Sequence, residues 1–193
     1  MSKRLFVVFS VLMVVGMLLT ACGPKAAAFE CTDAVGCLDL APDEPVHLAY
    51  MLTISGATAF LGEDSKGAIE IAMDDRGGQI LGHDIVLTGE DSGCNAEGGQ
   101  TAATKVASDP TIVGVIGTNC SSAATAAIDT ISDAGLVMIS SSNTAPALTI
   151  EGETWKPGYY RVCHTDLFQG AVAAEFAYNE LGARTTATIH DGS

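Results

Sequence analysis

The sequence predicts an α/β protein built on a doubly wound parallel sheet, with helices on both faces and a second lobe opening near the end of the chain. Three observations carry this. From Val46 onward, short apolar runs alternate with longer amphipathic ones, the pattern of successive βαβ units. The amphipathic runs keep alanine on their inner sides, which lets helices sit close to a sheet. Each also ends on a stop signal: Gly77-Gly78, Asp109-Pro110 and Gly135.

The first strand is Val46–Leu52, and the helix after it, about Ser65–Arg76, sets Ile69, Ala72, Met73 and Arg76 on one side with Glu70, Asp74 and Asp75 elsewhere. A strand at Asp84–Thr88 leads to a helix at Ala96–Ala107 that buries Ala102, Ala103, Val106 and Ala107. A strand at Ile112–Ile116 leads to a helix at Ser122–Ala134, where Ala124, Ala127, Ile128 and Ile131 recur at helical spacing. The last strand of the series is Leu136–Ile139. The pattern then loosens through Ser140–Pro146 into a turn-rich stretch with Gly152, Pro157 and Gly158, which reads as a crossover between lobes. A helix near Phe168–Leu181 and a strand near Thr185–Ile189 begin another unit, and the chain stops at Ser193. A doubly wound domain does not end on its first strand, so the sequence reads as a fragment with the second lobe truncated. No repeat of fixed period is present.

The N-terminus sets the compartment. Lys3 and Arg4 precede an apolar stretch from Leu5 to Leu19, followed by the small residues Thr20 and Ala21, the layout of a secretory signal peptide. The run falls short of the roughly 20 apolar residues that span a bilayer. Leu19-Thr20-Ala21-Cys22 resembles the lipobox of bacterial lipoproteins, which implies that Cys22 is acylated, becomes the mature N-terminus and holds a soluble domain on a membrane face. Residues 1–21 are thus read as a lipoprotein signal peptide, 22–45 as a tether, 46–150 as an N-terminal lobe and 151–193 as the crossover and start of a second lobe. The expected location is extracytoplasmic, anchored through the lipid.

Loss of Lys3 and Arg4 with the signal takes the formal charge from −14 to −16. Nucleic-acid binding rests on basic patches that release counterions, so this balance excludes it. Six cysteines in an oxidising compartment point to disulfides. With Cys22 set aside, five remain and cannot all pair within the chain. Cys31 and Cys37 read as closing a small local loop, and Cys163 is expected to pair with something beyond the chain's end.

Ligands of open parallel sheets bind past the carboxyl ends of the strands. Here those positions are Thr53–Gly56, Asp91–Cys94, Thr118–Ser122 and Ser140–Thr144. Ser121 or Ser122 is expected to cap the helix that follows, whose free N–H groups would hold an anion such as a carboxylate. Ser142 and Thr144 add hydroxyls from the neighbouring loop. Cys94 and Cys120 both follow strand ends on this edge, so a bridge between them is geometrically reasonable; it would close a loop of about 26 residues and stabilise by roughly 3–4 kcal/mol.

Gly62-Glu63-Asp64, Val115-Ile116-Gly117 before Cys120-Ser121-Ser122, Val137–Ser140 with Asn143–Thr149, and then Tyr160-Arg161, Asp166, Gln169-Gly170 and Ile189-His190-Asp191 form an ordered series. In these stretches the chain resembles the leucine/isoleucine/valine-binding proteins, members of the type I periplasmic-binding-protein fold. The resemblance implies that Ser121 and Thr144 bind a ligand carboxylate, that Ser142 contributes through its backbone, and that Asp166 lies near the ligand's ammonium. It places Ser122 and Asn143 in the same two binding loops, and the Cys94–Cys120 pair resembles a disulfide seen in some of these receptors. Many members carry an aromatic residue before the glycine that enters the first helix; this chain has Leu61, preceded by Phe60, so its side-chain pocket differs. The implied partners are a small amino acid or amide and the membrane subunits of an ABC permease, with the receptor a monomer.

Two other readings stand beside the transport receptor. One is a ligand-sensing domain of the same fold. The other is a serine hydrolase using Ser121, His164 or His190, and Asp166, but no Gly-x-Ser-x-Gly elbow, P-loop, Gly-x-Gly-x-x-Gly or zinc spacing occurs, so neither enzyme activity nor cofactor is expected.

Overall fold

A computed structural model describes residues 30–33 and 36–189. The chain divides into two units, Met1–Thr32 and Asp33–Ser193. Of the first, Glu30–Thr32 are described, without regular structure. The signal segment and Cys22 lie outside the described residues.

In the second unit the strands are β1 (Val46–Leu52), β2 (Gln79–Ile80), β3 (His83–Asp91), β4 (Ile112–Gly117), β5 (Val137–Ser140) and β6 (Tyr159–Arg161). The described helices are α1 (Phe60–Asp74), α2 (Ala96–Ala107), α3 (Ser121–Asp133) and α4 (Asp166–Asn179), with a 3-10 turn at Pro146–Thr149. One six-stranded sheet runs β2-β3-β1-β4-β5-β6. All neighbours are parallel except β2 with β3. The chain leaves β1 towards β3, then crosses back to β4 on the far side, so its winding reverses between β1 and β4, the position at which open α/β sheets bind their ligands.

The core lies between the sheet and α2 with α3. Ala49 and Met51 of β1 meet Ala102, Ala103 and Val106 of α2 and Ala124, Ala127, Ile128 and Ile131 of α3. The two helices approach closely because Gly99 faces the Ala123 backbone, where any Cβ would collide. Full burial of one such isoleucine contributes roughly 1.5–3 kcal/mol.

β1 and α2 have the bounds the sequence predicts, and the other predicted strands up to Ser140 shift by a few residues. Other features differ, among them an unpredicted β2 and an α4 that starts at Asp166 rather than near Phe168. α1 starts at Phe60 rather than Ser65: no side chain caps it, and Gly62 in its first turn lies against the Thr53 carbonyl where only glycine fits. α3 starts at Ser121, with Cys120 as its cap residue. β6 extends the first sheet into the segment read as crossover. Thr185–Ile189 forms no strand; a strand needs a hydrogen-bonding neighbour, no described strand borders it, and Ile189 is 100% exposed. No described helix is long and apolar enough to cross a membrane.

Candidate functional site

The four loops past the carboxyl ends of β1, β3, β4 and β5 meet around the start of α3. That helix end is electrostatically unlike the others. α2 is capped by the Asn95 carbonyl oxygen, which accepts from the Gly98 amide at 2.8 Å, and carries Glu97 in its first turn. Thr165 accepts from the Leu167 amide at the start of α4, where Asp166 adds a charge, and α1 has Glu63. α3 has neither a capping side chain nor a first-turn acid. Its first intrahelical bonds run from Ala123 and Ala124 to the Cys120 carbonyl at 3.1 Å, so the amides of Ser121 and Ser122 precede the ladder and their partial positive charge has no acidic counterpart in that turn.

Covalent and polar ties fix this end. The Cys94–Cys120 disulfide joins the β3–α2 loop to the cap residue of α3 across a sequence separation of 26. The Ser122 hydroxyl donates to the Cys94 carbonyl at 3.3 Å, so its side chain braces the bridge. The Ser121 oxygen accepts from the Ala145 amide at 3.2 Å, which leaves its own proton to donate. That bond brings the Ser121 and Thr144 loops together at the sheet edge.

Thr144 sits in a braced segment. Arg161 on β6 donates to the carbonyls on either side of it, Asn143 at 3.1 Å and Ala145 at 2.8 Å, and also to the Thr149 hydroxyl. The Thr144 carbonyl accepts from the Asp166 amide at 3.0 Å, bringing the start of α4 to the same place; the Asp166 side chain is exposed. Ser142 donates its hydroxyl to the Asn119 carbonyl at 2.9 Å and its amide to Ser140 at 3.2 Å. Leu61, 39% exposed, lines with Asn119 and Ser142 one end of a groove of about 560 Å³ beside α1.

Asn143 turns inward. It is fully buried, its amide nitrogen donating to Thr118 at 3.2 Å and to the Tyr159 hydroxyl at 3.1 Å, its backbone amide to Ser140 at 2.9 Å. It is a strut under the loop, because a side chain pointing into the sheet edge must satisfy its polar atoms there. Burial raises the Tyr159 phenol above its ordinary value against the hydrogen bonds from Asn143 and Ser140.

Three residues lie in stretches the sequence reading named but gave no role there, and each is part of the framework. Asn119 links β1, α1 and Ser142. Asp91 accepts from the Ile54 amide at 3.1 Å and the Gly93 amide at 2.9 Å. Burial alone would raise its carboxyl, but bonds from the Ser55 hydroxyl and those two amides outweigh it and hold the group below the ordinary 3.8. Arg161 is the third. Each is a polar residue at a strand end, and nothing local in the sequence names its distant partners.

The hydrolase couple is absent among the described residues: Ser121 pairs with the Ala145 amide and the His164 ring with the Gln169 side chain at 3.3 Å. His190 lies outside them. No group of three or more potential metal ligands occurs among the described residues. Cys31 and Cys37 are each disulfide-bonded, while Cys163 is a free thiol that donates to the Asn143 carbonyl at 3.2 Å.

Residues 45–193 match the family described as periplasmic binding protein. The chain is similar to an amino acid binding protein of Pseudomonas aeruginosa, 32% identical over 139 residues that cover 71% of this chain and 36% of that protein. Among solved structures it is similar to a leucine binding protein from Thermotoga maritima, with a TM-score of 0.66 and 27% identity over 72% of this chain and 38% of that one. An ABC transporter substrate-binding protein from Sphaerobacter thermophilus has a TM-score of 0.65 and 28% identity, again over 72% and 38%. The chain thus spans between a third and two-fifths of the length of these relatives. With the sheet order and a family match that runs over the chain from β1 onward, the chain belongs to the periplasmic binding protein family, of type I, whose members are solute-binding proteins, not enzymes.

Proposed function

We propose that the chain is the carboxylate-gripping part of an extracytoplasmic receptor that delivers a branched-chain or related small amino acid, or its amide, to an ABC permease. The observation that carries this is the start of α3: the one described helix with neither a capping side chain nor a first-turn acid opens where the Ser121 hydroxyl keeps a proton to donate. A carboxylate there accepts from backbone amides and from Ser121, with Thr144 alongside. Such contacts with the helix end contribute about 0.3–2 kcal/mol. The ligand's ammonium would meet acceptors instead. Ser142, whose amide is already donated to Ser140, offers its carbonyl, and Asp166 enters from the start of α4.

In this reading residues 46–150 form most of the first lobe and 151–193 lead from it through β6 into the second. Closure of two lobes on the solute biases the receptor towards the form its permease recognises. Leu61, at the position where the resemblance implies an aromatic residue, would shape the pocket for the ligand's side chain. The signal segment at 1–21, the tether at 22–45, a lipid on Cys22 and a monomeric state complete the proposal. Support for transport comes from the relatives named above and from the lipobox-like Leu19–Cys22.

Thermal unfolding of the full-length protein against the common amino acids and their small amides tests the proposal. A ligand at a thousand times its Kd adds about 4 kcal/mol, a rise of several degrees. The expected result is such a rise for at least one small apolar amino acid. A flat melting temperature across the panel contradicts it.

A further inference from the structure

Asn119 is 6% exposed and joins three of the loops at the sheet's carboxyl edge. Its side-chain oxygen accepts from the Thr53 amide at 2.9 Å, past the end of β1. Its side-chain nitrogen donates to the Leu61 carbonyl at 3.3 Å and to the Ser65 oxygen at 2.9 Å, in the first two turns of α1. Its backbone carbonyl accepts the Ser142 hydroxyl at 2.9 Å, in the loop after β5.

We infer that Asn119 is a positioning residue of the ligand site, its side chain tying the Thr53 loop to the start of α1 and its backbone carbonyl holding Ser142, all at the carboxyl edge of β1 and β4. As a claim about affinity it rests on the function proposed above. The chemistry of its partners selects the residue type. An amide N–H can only donate and a carbonyl can only accept, so Thr53 fixes the oxygen end and Leu61 the nitrogen end. Ser65 agrees: its proton goes to the Leu61 carbonyl at 2.9 Å, leaving its oxygen to accept from Asn119. Aspartate at 119 satisfies Thr53 but presents a second acceptor to the Leu61 carbonyl, unless it is protonated and donates there. Leucine satisfies neither end. Removing one partner of a buried polar pair exposes the other to the full desolvation penalty, so the Thr53 loop and the start of α1 should loosen together and unseat the Asn119 backbone on which Ser142 rests.

The test uses the full-length protein with Asn119→Asp, and Ser65→Ala as a milder surface variant that keeps the fold if the first does not. Two measurements are made: amide hydrogen exchange without ligand, and calorimetric affinity for L-leucine and L-isoleucine across pH. Expected for Asn119→Asp at neutral pH is faster exchange at Thr53–Gly56, at the start of α1 and at Ser141–Thr144 together, with binding about tenfold weaker. Both should recover as acid protonates the new carboxyl, which general destabilisation would not produce. Ser65→Ala should shift the same three segments less. Exchange unchanged, confined to one loop, or insensitive to pH in Asn119→Asp overturns the inference. If the unmodified protein binds neither amino acid, the proposed ligand class fails, and the exchange pattern still decides the role of Asn119.

Discussion

Ser121 shows how little a single residue can declare by itself. Its place before an alanine-rich helix makes it a candidate cap, yet in the structure Cys120 takes the cap position in extended backbone and Ser121 becomes the first helical residue. Its hydroxyl is thereby released from capping and bonded by the Ala145 amide. Ser142 and Thr144, expected as hydroxyls at the same sheet edge, lie in the loop after β5 that bonds to Asn119 and Ser121. Asn143 was placed with them but is buried, since sequence neighbours in an irregular loop point in different directions. Asp91 was legible as a strand-end residue but not as a brace. Its carboxyl lies lower in the folded chain than when unfolded, so its contribution to stability is complete above the ordinary value of 3.8 and is lost as the pH falls through and below it. Asp91→Asn should therefore be less stable than the unmodified protein at neutral pH. The gap should narrow as acid protonates Asp91, which urea unfolding between about pH 7 and about pH 3 can follow. A gap independent of pH would show that the charge on Asp91 is not what holds Ile54 and Gly93.

At the scale of elements, periodicity read the long segments well. The seven-residue β1 and the alanine-faced α2 carry a repeating signal from end to end. Short elements carry none: β2 has two residues and β6 three, and each exists because a neighbouring strand offers hydrogen bonds. The early start of α1 was hidden by Gly62, a poor helix former that the Thr53 carbonyl makes necessary. The element that matters most to the site is the junction of the β3–α2 loop with α3, held by Cys94–Cys120. Replacing both cysteines by alanine should cost roughly 3–4 kcal/mol by loop-closure entropy for a separation of 26. Because the bridge ends one residue before Ser121, ligand affinity should fall as well, even where urea titration shows the variant still folded. Affinity unchanged in the folded variant would mean that the hydrogen bonds of Ser122 and Ala145 suffice to hold the site.

Across the whole molecule, the two faces of the sheet are unequally served. α2 and α3 bury one face. The other has α1 and, beside it, the groove of about 560 Å³ lined by Leu48, Ile69, Met73, Ile85 and Ile116. No residue of α4 is buried, and Leu167, Phe168, Val172 and Phe176 are more than half exposed. Neither the strand order nor the uncapped start of α3 was read from the sequence, which offered Ser121 or Ser122 as the cap; the parallel α/β sheet itself was foreseen, because the alternation of short apolar and longer amphipathic runs specifies it. The identity of the ligand was not, because its side-chain pocket depends on surfaces that no local pattern specifies. The acidic balance, −14 over the whole sequence, leaves the positive end of α3 as a local exception, which in the proposed function holds a small carboxylate. The most direct test compares, by calorimetry on the full-length protein, an amino acid that binds with its own carboxamide. If the amides of Ser121 and Ser122 and the Ser121 hydroxyl grip a carboxylate, the neutral carboxamide should bind at least about tenfold more weakly; equal affinity for the two would contradict the account.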